Sequence, residues 1–165
     1  MSEADESESR FRYDEQLLSL IREPAARFYL SSQGLPRTSP LFHPGDARPC
    51  TAEGRDSIVI GSDGDDDFGS YCVDVDTGEV VILSLRGGDG IGHVNASPEA
   101  FARCISEFSR RCPYGDGETS QEEFELISAE LGRALSAIDD SVFDEDPGFW
   151  CNLLHDVAIG DYAEV

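Results

Sequence analysis

The segment from Tyr71 to Leu85 reads as a β-hairpin and constrains the fold more than any other stretch. Tyr71, Val73 and Val75 alternate with Cys72, Asp74 and Asp76, the two-residue period of a half-buried strand. Asp76-Thr77-Gly78 follows as a tight turn, with Gly78 free to adopt positive φ. Glu79 to Leu85 then returns as a more fully apolar strand. Ile58 to Ile60 supply a further strand, and His93-Val94 a last short edge strand.

At Asn95-Ala96-Ser97-Pro98 the period changes to that of a helix. Ser97 caps, Pro98 presets φ in the first turn, and Glu99 meets the positive end of the helix dipole. Phe101, Cys104, Ile105, Phe108 and Cys112 line one face until Pro113 stops it. Thr119 and Glu122 have capping-box spacing for a second helix, with Phe124, Ile127, Leu131, Leu135 and Ile138 as its stripe. Asp146-Pro147 opens a last helix that turns Phe149, Trp150, Leu153, Leu154 and Val157 inward and ends near Gly160.

Upstream, Tyr13, Leu17, Leu18 and Ile21 fall at helical spacing behind Asp14 as N-cap. Pro24 begins another short helix that carries Ala25, Phe28 and Tyr29 inward and ends near Gly34. Residues 35–56 are proline-rich and read as an irregular connection with a short strand at Leu41-Phe42. The order helices, antiparallel sheet, helices defines an α+β fold in a single domain over residues 11–165, behind a disordered acidic lead over residues 1–10. A chain of 165 residues that is 39% hydrophobic has material for one such core.

Charge excludes several functions. There are 34 Asp and Glu against 12 Arg and no Lys, a net of −22. Such a surface repels nucleic acid and anionic membranes and hastens encounter with a cationic partner. No apolar run is long enough to span a bilayer or act as a signal core, so the expected location is the cytoplasm. Five cysteines without a CxxC pair are expected as reduced thiols there.

No motif carries chemistry. Asp63, Asp65 and Asp67 alternate as in a calcium loop, but Phe68 replaces the turn glycine and the twelfth position is Asp74. His43, His93 and His155 form no ligand pair, so no metal site and no cofactor are expected. Cys72 and Cys104 fall on packed faces, where thiols are inert, so no catalytic residue is assigned. The GGDGIG run at residues 87–92 lacks the Lys-Ser/Thr of a phosphate loop. What remains is a set of acidic turns: Asp63 to Asp67, Asp89, Asp116 to Glu118, and Asp139 to Asp146. Turn residues are open to a partner. The residues assigned to partner binding are Asp63, Asp65, Asp66, Asp67, Phe68, Tyr71 and Asp89, with core packing as the alternative for Phe68 and Tyr71.

The runs IGSDG (60–64), YCVDVDTGEVV (71–81) and HVNASPEAFARCISEF (93–108) together resemble the SUKH superfamily, in particular its fourth group, typical of bacterial immunity proteins. PAARFYLSSQGLPRTSPLFHP (24–44) and FWCNLLHDVAIGDY (149–162) are similar to that group too, so the likeness extends over residues 14–162. The acidic insert after Asp63-Gly64 departs from the pattern and bears on partner choice. The resemblance implies a non-enzymatic domain that binds and neutralises a cognate toxin, often a nuclease or a nucleic-acid deaminase with a basic surface. The alternative is a scaffold or regulatory module of the same fold with no toxin partner. The oligomeric state is left open.

Overall fold

The computed structural model describes residues 10–64, 69–84 and 90–165. Two short strands, β1 (Arg10–Phe11) and β2 (Leu35–Pro36), pair antiparallel and bracket α1 (Glu15–Leu18) and α2 (Pro24–Ser32). Asp14 caps α1 as expected, its Oδ1 accepting the Gln16 N–H at 2.7 Å. The helix is shorter than the apolar spacing suggested, ending at a Ser19 C-cap before Ile21. Leu17, expected inward, is 44% exposed.

The roll of α2 also differs. Ala26 and Leu30 are buried, whereas Ala25 is exposed and Phe28 is 69% exposed. The cause is close approach to the Asp76-Thr77-Gly78 turn: a Cβ on Gly78 would lie 3.2 Å from the Ala26 Cβ. Only a small residue fits against that turn, so the small residue decides which face turns inward.

The larger correction concerns residues 35–56. They contain β3 (His43–Ala52), a ten-residue strand that pairs with β4 (Arg55–Ser62), while Leu41 and Phe42 are buried outside any strand. Pro44 and Pro49 are tolerated because β3 is an edge, and its register with β4 shifts between Pro44 and Arg48. From there β5 (Gly69–Asp74), β6 (Val80–Ser84) and β7 (Ile91–Asn95) complete an antiparallel meander in the order β3-β4-β5-β6-β7. The hairpin read from the sequence is β5-β6, with Gly78 at φ 77°.

Three helices follow. In α3 (Pro98–Arg111) Ser97 Oγ accepts the Ala100 N–H at 3.1 Å, and Phe101, Cys104, Ile105 and Phe108 are buried. The capping box of α4 (Gln121–Ile138) is Ser120 with Glu123, one residue beyond the expected pair. Thr119 instead bonds Asp116 in the preceding turn. In α5 (Phe149–Ala158) Gly148 is the N-cap, so the helix starts after Asp146-Pro147, with Trp150, Leu153 and Val157 buried.

The core lies between one sheet face and these helices. At its centre the Phe42, Tyr71 and Phe101 rings meet at 5.2–5.4 Å between centroids. Phe149 packs on both Tyr71 and Trp150. Edge-to-face aromatic pairs of this kind add roughly 0.5–1.5 kcal/mol each beyond area burial. The opposite sheet face carries a second, small cluster of Val59, Cys72 and Val81, with Cys50, Leu83 and Ile91 around it. Cys72 is therefore buried too, and β5 is packed on both faces instead of half-buried.

Candidate partner-binding surface

The residues assigned to partner binding, Tyr71 apart, belong in sequence to the β4-β5 and β6-β7 connections, and the meander brings the strand ends that flank these to one end of the sheet. Ser62 of β4 pairs with Ser70 of β5, Gly69 with Ser84 of β6, and Leu83 with Ile91 of β7. Four adjacent strand ends span about 15 Å at the usual interstrand spacing. Residues 63–68 and 85–90 join these ends. Asp65, Asp66, Asp67, Phe68 and Asp89 themselves lie outside the described residues. Asp63 is half-buried and close enough for its charge to be felt in the core. Burial raises the Tyr71 hydroxyl pKa, and the Asp63 charge raises it further.

Tyr71 does not belong to this surface. It is 1% exposed, its hydroxyl donates to the Leu41 carbonyl at 2.9 Å, and its ring packs on Phe42, Phe101 and Phe149. Alternation in β5 sends Tyr71 and Val73 to the core side together, so core packing is the correct assignment.

Beside the same sheet end, a cleft of about 510 Å³ is lined by His43, Asp46, Arg48, Val59, Ser62 and Ser70. The irregular register of β3 opens it. Gly61 and Gly64 let the chain close tightly there. A Cβ on Gly61 would be 2.4 Å from the His43 carbonyl oxygen, and one on Gly64, at φ 96°, would be 2.7 Å from the His43 ring. Sequence reasoning missed this cleft because Pro44 and Pro49 hide a strand from any β-pattern.

At the other end of the sheet a polar chain crosses the strands. Arg55 bonds Asp74 at 2.9 Å and also Glu79. Glu79 Oε2 lies 2.6 Å from His93 Nδ1, and His93 Nε2 lies 2.8 Å from Ser141 Oγ. Ser141 Oγ in turn donates to Asp139 Oδ1 at 2.7 Å. Asp139 Oδ2 accepts from the Asn95 amide at 2.8 Å and the Ala96 N–H at 2.9 Å, and Asn95 Oδ1 accepts from Trp150 Nε1. Carboxylate, imidazole and hydroxyl stand in the order of a hydrolytic triad. Ser141 Oγ, however, donates to the Asp139 carboxylate, so its proton is directed away from His93 Nε2. The chain clamps β7 and the 139–146 loop to the sheet; Asp139, read as an exposed turn acid, is buried in it.

The Cys72 and Cys104 thiols are buried. Burial pushes Cys72 and Cys104 up to about 12, and raises Cys112 and Cys151 as well. Asp74, which would close a calcium loop, gives Oδ1 to the N–H groups of Asp76 and Thr77 and Oδ2 to Arg55. Among the described residues no group of His, Cys, Asp and Glu could hold a metal ion, and no helix is long and apolar enough to cross a membrane.

The strands and helices form an α+β domain with a five-stranded antiparallel meander. The chain belongs to the SUKH-4 immunity protein family, which matches residues 4–156. Membership carries an immunity role and implies a cognate toxin as partner; the family is generally non-enzymatic. Comparison with curated proteins and with solved structures gave no match.

Proposed function

We propose that the chain neutralises a toxin of basic surface, a nuclease or a nucleic-acid deaminase, by covering its active site with the acidic end of the sheet. Asp63, Asp65, Asp66, Asp67 and Asp89 would supply the charge, and Phe68 an aromatic anchor now that Tyr71 is assigned to the core. The observation that carries this reading is the convergence of both acidic connections on adjacent strand ends in an immunity-family chain. Enzymes that act on nucleic acid need basic clefts for phosphate contacts, and a carrier of net charge −22 is drawn to them. Steering of this kind raises association toward ~10⁸–10⁹ M⁻¹s⁻¹ at low salt. Firm holding requires roughly 1,600 Å² of buried area around an apolar centre. The cleft beside His43 and Arg48 offers a concavity for a side chain of the toxin.

The test is association with a toxin of basic surface encoded beside this chain, followed by stopped-flow fluorescence over a range of salt; no such toxin among the neighbouring gene products would overturn the reading. Replacing Asp63, Asp65, Asp66, Asp67 and Asp89 together by Asn should slow association by about tenfold or more at low salt and flatten the salt dependence. Phe68→Ala should instead raise the dissociation rate. An unchanged association rate in the Asn variant would place the toxin elsewhere on the molecule.

A further inference from the structure

One groove runs against the charge of the whole chain. Arg10, Arg103 and Arg110 line it together with Ser106 and Glu107, and Ala134 and Ile138 of α4 are the apolar part of its lining; its volume is about 430 Å³. Arg103, Glu107 and Arg110 follow one another at i, i+4 and i+7 on α3, so they share a face of that helix. Arg10 arrives from β1 and is already oriented, its Nη1 donating to the Tyr29 hydroxyl and the Gly34 carbonyl at 3.1 Å each. Arg110 is oriented by Glu107 through contacts of 2.7 and 3.4 Å, while two-thirds of its side chain stays exposed. Arg103 is exposed and makes no ion pair among the described residues. Placement near the negative end of the α3 dipole accounts for Arg110, but for neither Arg103 nor Arg10.

We infer that this groove is a binding site for the phosphate of a small phosphate monoester. Glu107 is bonded by Arg111 as well as by Arg110, so the guanidiniums outweigh the one carboxylate and leave the groove positive. A phosphate monoester carries about −1.5 to −2 and three acceptor oxygens, which suits a positive groove where the Arg103 guanidinium makes no ion pair among the described residues. A single carboxylate, with one charge and two oxygens, draws less on that charge. The Ala134 and Ile138 side chains give the organic part of the ester an apolar contact, and the volume falls in the range of small-molecule sites, about 300–1,000 Å³. A long polyanion such as nucleic acid would bring its further charges against the surrounding acidic surface. The site is separate from the toxin-binding reading and stands or falls without it.

Amide chemical shifts of the full-length chain, followed while titrating inorganic phosphate, a nucleoside 5′-monophosphate and acetate, test the assignment. Phosphate and the monophosphate should shift residues 103–110 and 134–138 at concentrations where acetate does not. Tighter binding of the monophosphate identifies an organic ester as ligand, and equal binding identifies free phosphate; either supports the site. Arg103→Gln and Arg110→Gln should each weaken binding by about tenfold with the fold retained by circular dichroism, while Arg27→Gln on α2 should leave it unchanged. Shifts no larger with phosphate than with acetate, or equal affinity in all three variants, would overturn it.

Discussion

Asp139 does more for this fold than its neighbours in the acidic 139–146 run. Its two oxygens satisfy the buried Asn95 amide, the Ala96 N–H, and both the N–H and the hydroxyl of Ser141. Asp139→Ala should therefore cost about 3 kcal/mol in urea unfolding, because Asn95 is left buried with an unmet donor. A loss below about 1 kcal/mol would mean that water replaces the carboxylate. Burial alone would push Asp139 up, yet the hydrogen bonds from Ser141, Ala96 and Asn95 together hold it below the usual carboxylate range. Asp74 behaves alike: burial raises it, and the Thr77 and Asp76 N–H groups and Arg55 bring it down. A carboxylate depressed in the folded state binds protons more weakly than in the unfolded chain. Its stabilisation is present above the unfolded value, about 4, and is lost as pH falls through the folded one. Thermal midpoints should thus drop steeply below about pH 4, and less steeply in Asp139→Asn. None of this was legible in the sequence. Asn95 and Asp139 are 44 positions apart, and either alone reads as an ordinary turn residue.

Elements with a long regular stripe were legible, and those settled by a neighbour were not. The β5-β6 hairpin and the α3 face follow from period alone, since many residues agree on one answer. The α4 cap was placed one residue early because Thr119-Glu122 and Ser120-Glu123 have the same spacing; the Asp116 turn, by engaging Thr119, selects Ser120. Ser120→Ala should accordingly destabilise by about 1 kcal/mol in chemical denaturation, and Thr119→Ala by less. β3 was missed because proline normally argues against a strand, and nothing local tells an edge from a centre. The same strand imposes Gly61 on β4, whose added methyl group would meet the His43 carbonyl. Gly61→Ala should cost about 1–3 kcal/mol, the usual range for overpacking, and should alter the cleft; a neutral substitution would show that β3 is free to move aside.

At the scale of the whole molecule one property, the excess of acid over base, acts on folding and on recognition with opposite signs. Self-repulsion among 34 carboxylates opposed by 12 guanidiniums destabilises the compact state, and added salt screens it. The local ion pairs that salt would weaken, Arg22 with Asp76 and Arg110 with Glu107, each have a largely exposed arginine and are worth little. Raising sodium chloride from about 0.01 to 0.5 M, which shortens the screening length from about 30 Å to below 8 Å, should therefore raise the thermal midpoint of the isolated chain. The same change should slow its association with a basic toxin. Calorimetry and stopped-flow mixing on one preparation give both slopes. A midpoint that falls with salt would mean that the local pairs outweigh the global repulsion, and that the acidic residues are held in compensated networks on more of the surface than the Arg55, Glu79 and His93 chain.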